Sequence, residues 1–177
     1  MAFARLLMRT LLTLLILLAI IGLLLPSSAR VERSIVIEAP PAKVFEQVNN
    51  LRAFHAWSPW VAADPRTRYH FEGPEAGVGA RMLWQHSDED PNPGSMQITQ
   101  SVPHREVVAS MDFGDGGSVS TFLLQPTEAG HTRITWRFDT QFGLDLFGRY
   151  VGLMLDGMIG ASYQRGLQTL KQRVENT

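Results

Sequence analysis

The stretch Leu6–Leu25, LLMRTLLTLLILLAIIGLLL, constrains this chain more than any other, because only Arg9 interrupts its apolar run. The uninterrupted part, Thr10–Leu25, falls a little short of the ~20 residues that span a bilayer. Arg9 has a stem long enough to carry its charge to the interface, which extends the span back to Leu6. Leucine-rich composition favours helix over strand. A helix in the core of a soluble protein carries a polar face, and this segment has none. Pro26 ends it. The run is longer than the ~7–15 residues of a signal-peptide core, which favours an uncleaved anchor. Ser27-Ser28-Ala29 offers small residues suited to signal peptidase, so the alternative is a secreted or periplasmic domain released by cleavage. Arg5 and Arg9 before the segment are nearly matched by Arg30 and Arg33 after it. The terminal amine and Glu32 tilt the balance toward an N-terminus inside, hence a single-pass membrane protein with its domain outside the cytoplasm.

With residues 1–30 set aside as anchor or signal, residues 31–177 suffice for one domain with a real core. The chain has no cysteine, which excludes disulfides and thiolate metal sites. Sixteen Lys and Arg against seventeen Asp and Glu leave it nearly neutral, and no basic run of the kind nucleic-acid binding needs is present.

Within that domain the hydrophobic period changes twice. Val31–Glu38 alternates, with Val31, Arg33, Ile35 and Ile37 on one face, and reads as a strand. Ala39-Pro40-Pro41 breaks it, and Pro41 suits a first helical turn. Val44, Phe45 and Val48 mark a short amphipathic helix over Ala42–Asn49, and a second short helix follows over Leu51–Trp57. From there the period is two. Strands are expected at Arg68–Glu72, Ala80–His86, Ser95–Ser101, Glu106–Phe113, Ser118–Gln125 and Thr132–Asp139, joined by short polar or glycine-rich turns. That is an antiparallel meander. The period then returns to three and four, and Leu146–Val174 predicts one long helix with an apolar stripe from Phe147 to Val174. Its charged positions, Arg149 and Asp156 among them, rule out a second membrane span. Its five glycines point to close backbone approach, or to space left vacant beside it. A curved sheet with one long helix across its concave side is an α+β fold, and the gap between the two is the place for a cavity.

These pieces resemble the START-related SRPBCC superfamily with the helix-grip fold, in particular its polyketide cyclase/dehydrase-like members. The likeness is carried by VERSIVIEAPPAKVFEQVNN from Val31, WSPW at Trp57–Trp60, GVGARMLW from Gly77, TRITWRF from Thr132 and GLMLDGMIGASYQRGLQTLK from Gly152. It implies a curved antiparallel sheet wrapped around the C-terminal helix, with a cavity for lipids, polyketide-like or other apolar molecules. It implies no particular reaction, since fold does not settle function.

The expected ligand-facing residues are accordingly apolar. They are Trp57 and Trp60 in the loop after the short helices, Met82, Trp84, Met96, Phe113, Trp136 and Phe138 on strands, and Leu155, Ile159 and Tyr163 on the last helix. Each of these equally suits an ordinary packed core. His86, Glu106 and Asp139 are the residues to inspect for acid–base chemistry, against the plainer reading of an exposed strand face. No metal-ligand spacing and no nucleophile-elbow motif occurs, and no cofactor is implied. The expected partners are a hydrophobic small molecule or lipid, and the membrane through the N-terminal helix. Nucleic acid is not expected, and the sequence points to no protein partner. The leading expectation is a membrane-tethered binding module. The alternatives are a cyclase- or dehydratase-like enzyme, or a non-catalytic envelope interaction protein with a filled core.

Overall fold

The computed structural model describes residues 2–61, 66–85, 93–113 and 117–176. His86, most of the polar loop after it and the first three residues of the 114–117 turn lie outside the described residues.

The first helix, α1, runs Ala2–Leu24 and stops ahead of Pro26. Its Phe3–Leu24 portion is long and apolar enough to cross a membrane, and the rest of the protein covers almost none of it. The sheet begins at once: β1 is Ser28–Ile37, three residues longer at its start than the alternation predicts. Helix α2 (Pro41–Asn49) has Pro41 in its first turn. Helix α3 (Leu51–Trp57) is capped by Asn50, whose side chain accepts from the Arg52 and Ala53 amides.

Six strands follow: β2 (Arg68–Glu72), β3 (Arg81–Gln85), β4 (Gly94–Val102), β5 (Glu106–Asp112), β6 (Gly117–Pro126) and β7 (Thr132–Gln141). All neighbours pair antiparallel, and the sheet order is β1-β7-β6-β5-β4-β3-β2. The meander therefore closes back on β1, with Val31 opposite Phe138 and Ile35 opposite Ile134. Register between β4 and β5 shifts between Ile98 and Gln100, a bulge that adds local bend.

The C-terminal segment corrects one expectation. It is two helices, not one: α4 (Leu146–Gly152) and α5 (Leu155–Glu175). At the join the hydrogen bonds tighten, with the Leu153 amide donating to the Tyr150 carbonyl and the Met154 amide to that of Val151. The turn is needed because the two parts serve different neighbours: α4 lies on α1, whereas α5 lies across the sheet. Hence the apolar stripe does not run unbroken into the core. Leu167, Leu170 and Val174 are buried, while Phe147, Met154 and Met158 are exposed.

The core is formed by the inward residues of β1 and β3–β7, the apolar faces of α2 and α3, and the C-terminal two thirds of α5. One consequence of strand polarity positions everything that follows. β1 starts, and β7 ends, at the end of the sheet next to α1. Antiparallel pairing puts Phe113, Gly94, Gln85 and the start of α5 at that same end, and Ile37, Thr132 and Glu72 at the far end.

Candidate functional site

Alternation sorts the predicted site residues into a deep layer and a rim. In the deep layer Trp136 stacks on Tyr163, with ring centroids 3.9 Å apart and planes 17° from parallel. Trp57 meets Trp136 edge-on at 5.4 Å, and Phe122 lies 5.3 Å away. Phe54 closes the cluster from α3. Both indole donors are used: Trp136 Nε1 donates to Ser120 Oγ at 2.9 Å and Trp57 Nε1 to the Gln47 carbonyl at 3.1 Å. Burial pushes the Tyr163 phenol pKa well above its ordinary value, because the phenolate would lose its hydration. Met82, Met96 and Phe138 are likewise buried. Side chains, with their polar atoms satisfied, fill this half of the space between sheet and α5.

The rim is different. Trp60 is 38% exposed and Phe113 48% exposed, large values for aromatics that face a core. Trp84, Leu155 and Ile159 are partly buried against the core cluster. Trp84 lies flat over Gly94, its cross-strand partner, where any Cβ would collide with the indole. Phe113 bridges Trp84 at 5.7 Å and Phe138 at 6.4 Å, and Trp60 reaches Tyr163 at 6.4 Å. The structure thus gathers Trp84, Phe113, Leu155 and Ile159 toward the α1 end of the sheet, with Trp60 farther along α5 against Tyr163. Trp57, Met82, Met96, Trp136, Phe138 and Tyr163 stand behind them as packed wall.

The inward face carries a polar feature that the sequence reading passed over. Among the described strand residues one charged side chain points inward, that of Arg33 on β1. Its guanidinium makes a paired contact with Asp156 on α5, Nη1 to Oδ1 at 2.8 Å and Nη2 to Oδ2 at 3.0 Å. Gly160 leaves the space that the guanidinium occupies. The hydrogen bond from Arg33 holds the Asp156 carboxyl below the usual carboxylate range. The signal was an arginine within the otherwise apolar face of VERSIVI. Ser118 Oγ and Thr140 Oγ1, 3.0 Å apart, add an inward polar pair near the rim.

The acid–base candidates lie elsewhere. Asp139 is on the outer face of β7, with Arg30 Nε donating to its Oδ1 at 2.6 Å. Glu106 is on the outer face of β5 and accepts from Gln100 Nε2 at 3.0 Å. His86 lies outside the described residues. No group of three or more His, Asp or Glu among the described residues could hold a metal ion.

Two hollows stand out among the described residues, and neither is lined by the aromatic layer between the sheet and α5. One, of about 290 Å³, is at the far end and is bordered by Arg52, Phe71, Glu72 and Arg81. There the Arg52 guanidinium sits 4.5 Å above the Phe71 ring. The other, about 150 Å³, is enclosed by Pro26, Ala29, Arg30, Arg149 and Asp156 where α1 meets the domain.

Comparison with known proteins bears on this geometry. A family model described as polyketide cyclase / dehydrase and lipid transport matches residues 28–175. No curated protein matches the chain. Solved structures do. Protein CV1439 from Chromobacterium violaceum is 19% identical, with 85% of this chain and 99% of that one covered at a TM-score of 0.57. Protein SA2116 from Staphylococcus aureus, described as of unknown function, is 11% identical over 84% and 94% of the two chains, TM-score 0.62. A Thermobifida fusca protein is 19% identical over 83% and 93%, TM-score 0.61. At such identities these structures establish the helix-grip fold alone.

Proposed function

The chain belongs to the polyketide cyclase / dehydrase and lipid transport family, and on that premise we propose that it is a membrane-tethered binding module for an apolar small molecule or lipid. Residues 1–30 serve as an uncleaved single-pass anchor, and residues 31–177 form the binding domain outside the cytoplasm. The observation that carries the reading is the aromatic rim. Trp84 and Phe113 stay partly open to solvent at the end of the sheet where α1 enters, and Trp60 stays partly open beside Tyr163. Aromatic rings grouped at one edge and left partly open to solvent suit a ligand or surface that covers them. A rim at the membrane end receives a hydrophobic ligand directly from the bilayer, without a passage through water. The deep layer then acts as a floor, and Arg33 with Asp156 as a polar group beside the entrance.

The test is ligand capture by the full chain in lipid nanodiscs. An environment-sensitive fluorescent fatty acid should bind and be displaced by unlabelled lipid. Trp60→Ala and Phe113→Ala should weaken binding at least several-fold, with unchanged folding. Saturable binding absent from the parent chain, or unaffected by both substitutions, sinks the proposal.

A second reading has its own support. The close packing of Trp57, Phe122, Trp136 and Tyr163 suits a non-catalytic interaction protein with a filled core. The same titration separates the two, since that protein would capture no fatty acid. The outward placement of Glu106 and Asp139 gives an enzymatic role no support from those two residues.

A further inference from the structure

The segment 143–158 presents apolar side chains to the outside with unusual consistency. Leu144 is 83% exposed and Phe147 78%, and Leu153, Met154 and Met158 follow close behind. These residues are not a loose loop. The α4 backbone is held on two sides. Gly148 and Gly152 make one face, against which the Phe142 ring lies where Cβ atoms would otherwise sit. On another side Leu146 and Tyr150 straddle Gly22 of α1.

The join to α1 is strongly polar at its centre. Arg149, itself buried, donates through Nη1 to the carbonyls of Leu23 at 2.8 Å, Leu25 at 3.1 Å and Gly22 at 3.3 Å. Its Nε donates to the Gly143 carbonyl at 3.0 Å. The Gly22, Leu23 and Leu25 carbonyls lie at the end of α1, where a helix leaves carbonyls without partners and its dipole favours a cation. Tyr150 Oη donates to the Leu18 carbonyl at 2.7 Å. Leu18 precedes the end of α1 by six residues, about 9 Å along the axis.

That distance fixes a level. The apolar part of α1 has 22 residues, about 33 Å of helix, close to the ~30 Å of bilayer hydrocarbon. A span that fills the hydrocarbon has its end at the headgroup boundary and its last two turns just inside it. α4 flanks those two turns. Its outward residue Phe147 then lies beside the outer part of the acyl chains, and the Tyr150 hydroxyl, below the headgroup boundary, is satisfied by the Leu18 carbonyl.

We propose that α4 and the turn after it form a second, interfacial membrane contact, in which Leu144, Phe147, Leu153 and Met154 enter the lipid surface beside α1. This rests on the reading of α1 as a membrane span. The occupant is lipid because the exposed apolar residues flank the membrane-crossing helix itself, to whose last two turns Arg149 and Tyr150 fasten α4. The domain is thereby seated on the bilayer with its rim down, rather than swinging from a flexible tether.

The absence of cysteine makes the test direct. Phe147→Cys, Met154→Cys, Leu12→Cys and Glu128→Cys are each made in the full chain and labelled with the NBD fluorophore. The proteins are reconstituted in phosphatidylcholine/phosphatidylglycerol vesicles with or without brominated acyl chains. Position 12 reports on α1, and position 128 lies in the far-end turn. Tryptophan emission matching the parent confirms folding, and two separate reporter sites guard against one misfolded variant. Labels at 147 and 154 should emit to the blue and lose intensity in brominated vesicles, as at 12, while 128 stays unquenched. Quenching at 12 without quenching at 147 and 154 overturns the interfacial contact and leaves the anchor standing. Blue-shifted but unquenched labels at 147 and 154 mean that protein, such as a second copy, covers the patch, and also overturn it. No quenching at 12 overturns the anchor itself.

Discussion

Alanine substitution at two glycines of α5 measures how full the interior is. Gly157 and Gly166 are both in the helix, so each change to alanine removes a helical penalty, about 0.8–1 kcal/mol in the interior at Gly166 and less in the first turn at Gly157. Their surroundings differ. A Cβ at Gly157 meets nothing within 4 Å. At Gly166 it meets Pro59 Cδ at 2.9 Å and Trp136 Cζ3 at 3.0 Å. Neither neighbour is a floppy tail: Pro59 is a ring, and Trp136 is held by its stack on Tyr163 and its bond to Ser120. Forcing a methyl into such packing costs about 1–3 kcal/mol. Gly157→Ala should therefore stabilise the protein, while Gly166→Ala falls below it by that 1–3 kcal/mol. For a chain of this size that gap is about 2–12 °C in melting midpoint. The assay is thermal unfolding of the full chain in nanodiscs, followed by tryptophan emission. If Gly166→Ala stabilises as much as Gly157→Ala, the deep layer has spare room. The division into packed floor and open rim is then wrong.

Other substitutions probe the charges. Arg149→Met strips the end of α1 of its donors, at about 1–3 kcal/mol for carbonyls left without partners; faster amide exchange in residues 143–150 is the readout. Burial lowers the pKa of His55, which packs edge-on against Tyr69 at 4.5 Å. A folded pKa below the unfolded ~6.5 favours the neutral ring, so this stability is complete above the unfolded value and is lost as pH falls through the folded one. His55→Phe should flatten the melting midpoint between neutral and mildly acidic pH; an unchanged slope would refute the assignment. The Asp156 pKa is lowered by the hydrogen bond from Arg33, so their pairing persists above the ordinary carboxylate range and is lost as pH falls through the lowered value. Asp156→Asn should blunt the midpoint's fall at more acidic pH, read from the same melts.

Much of the fold was written in short-range periodicity. The bounds of α3 and β2 follow from Leu51–Trp57 and Arg68–Glu72 without adjustment, because turn residues border each run. The split between α4 and α5 was not legible. Steps of three and four continue through Leu153 and Met154, and periodicity cannot say that Phe147 and Met158 face outward. That depends on α1 lying beside α4, a contact between residues more than 120 positions apart. The site was legible only as composition. Alternation put Trp84 and Trp136 on inward faces alike, but depth along the strand separates rim from floor, and depth needs the register. Glu106 and Asp139 could be assigned to the outer face only once β5 and β7 had neighbours. Arg33 was visible within an apolar face, but its partner Asp156 was not.

The pairing of β1 with β7 also sets an order of events in time. β1 leaves α1 with only a few residues between them, yet its partners are Thr132–Gln141. During synthesis β1 waits with its edges unpaired while the intervening hundred or so residues are made, about 5–20 s at ordinary elongation rates. Loop closure over that separation is slow, and the unpaired SIVI segment is the part most exposed to wrong partners meanwhile. Completion of the sheet thus waits on β7, and substitutions in Thr132–Gln141 should lower yield more than their effect on the finished protein's stability predicts.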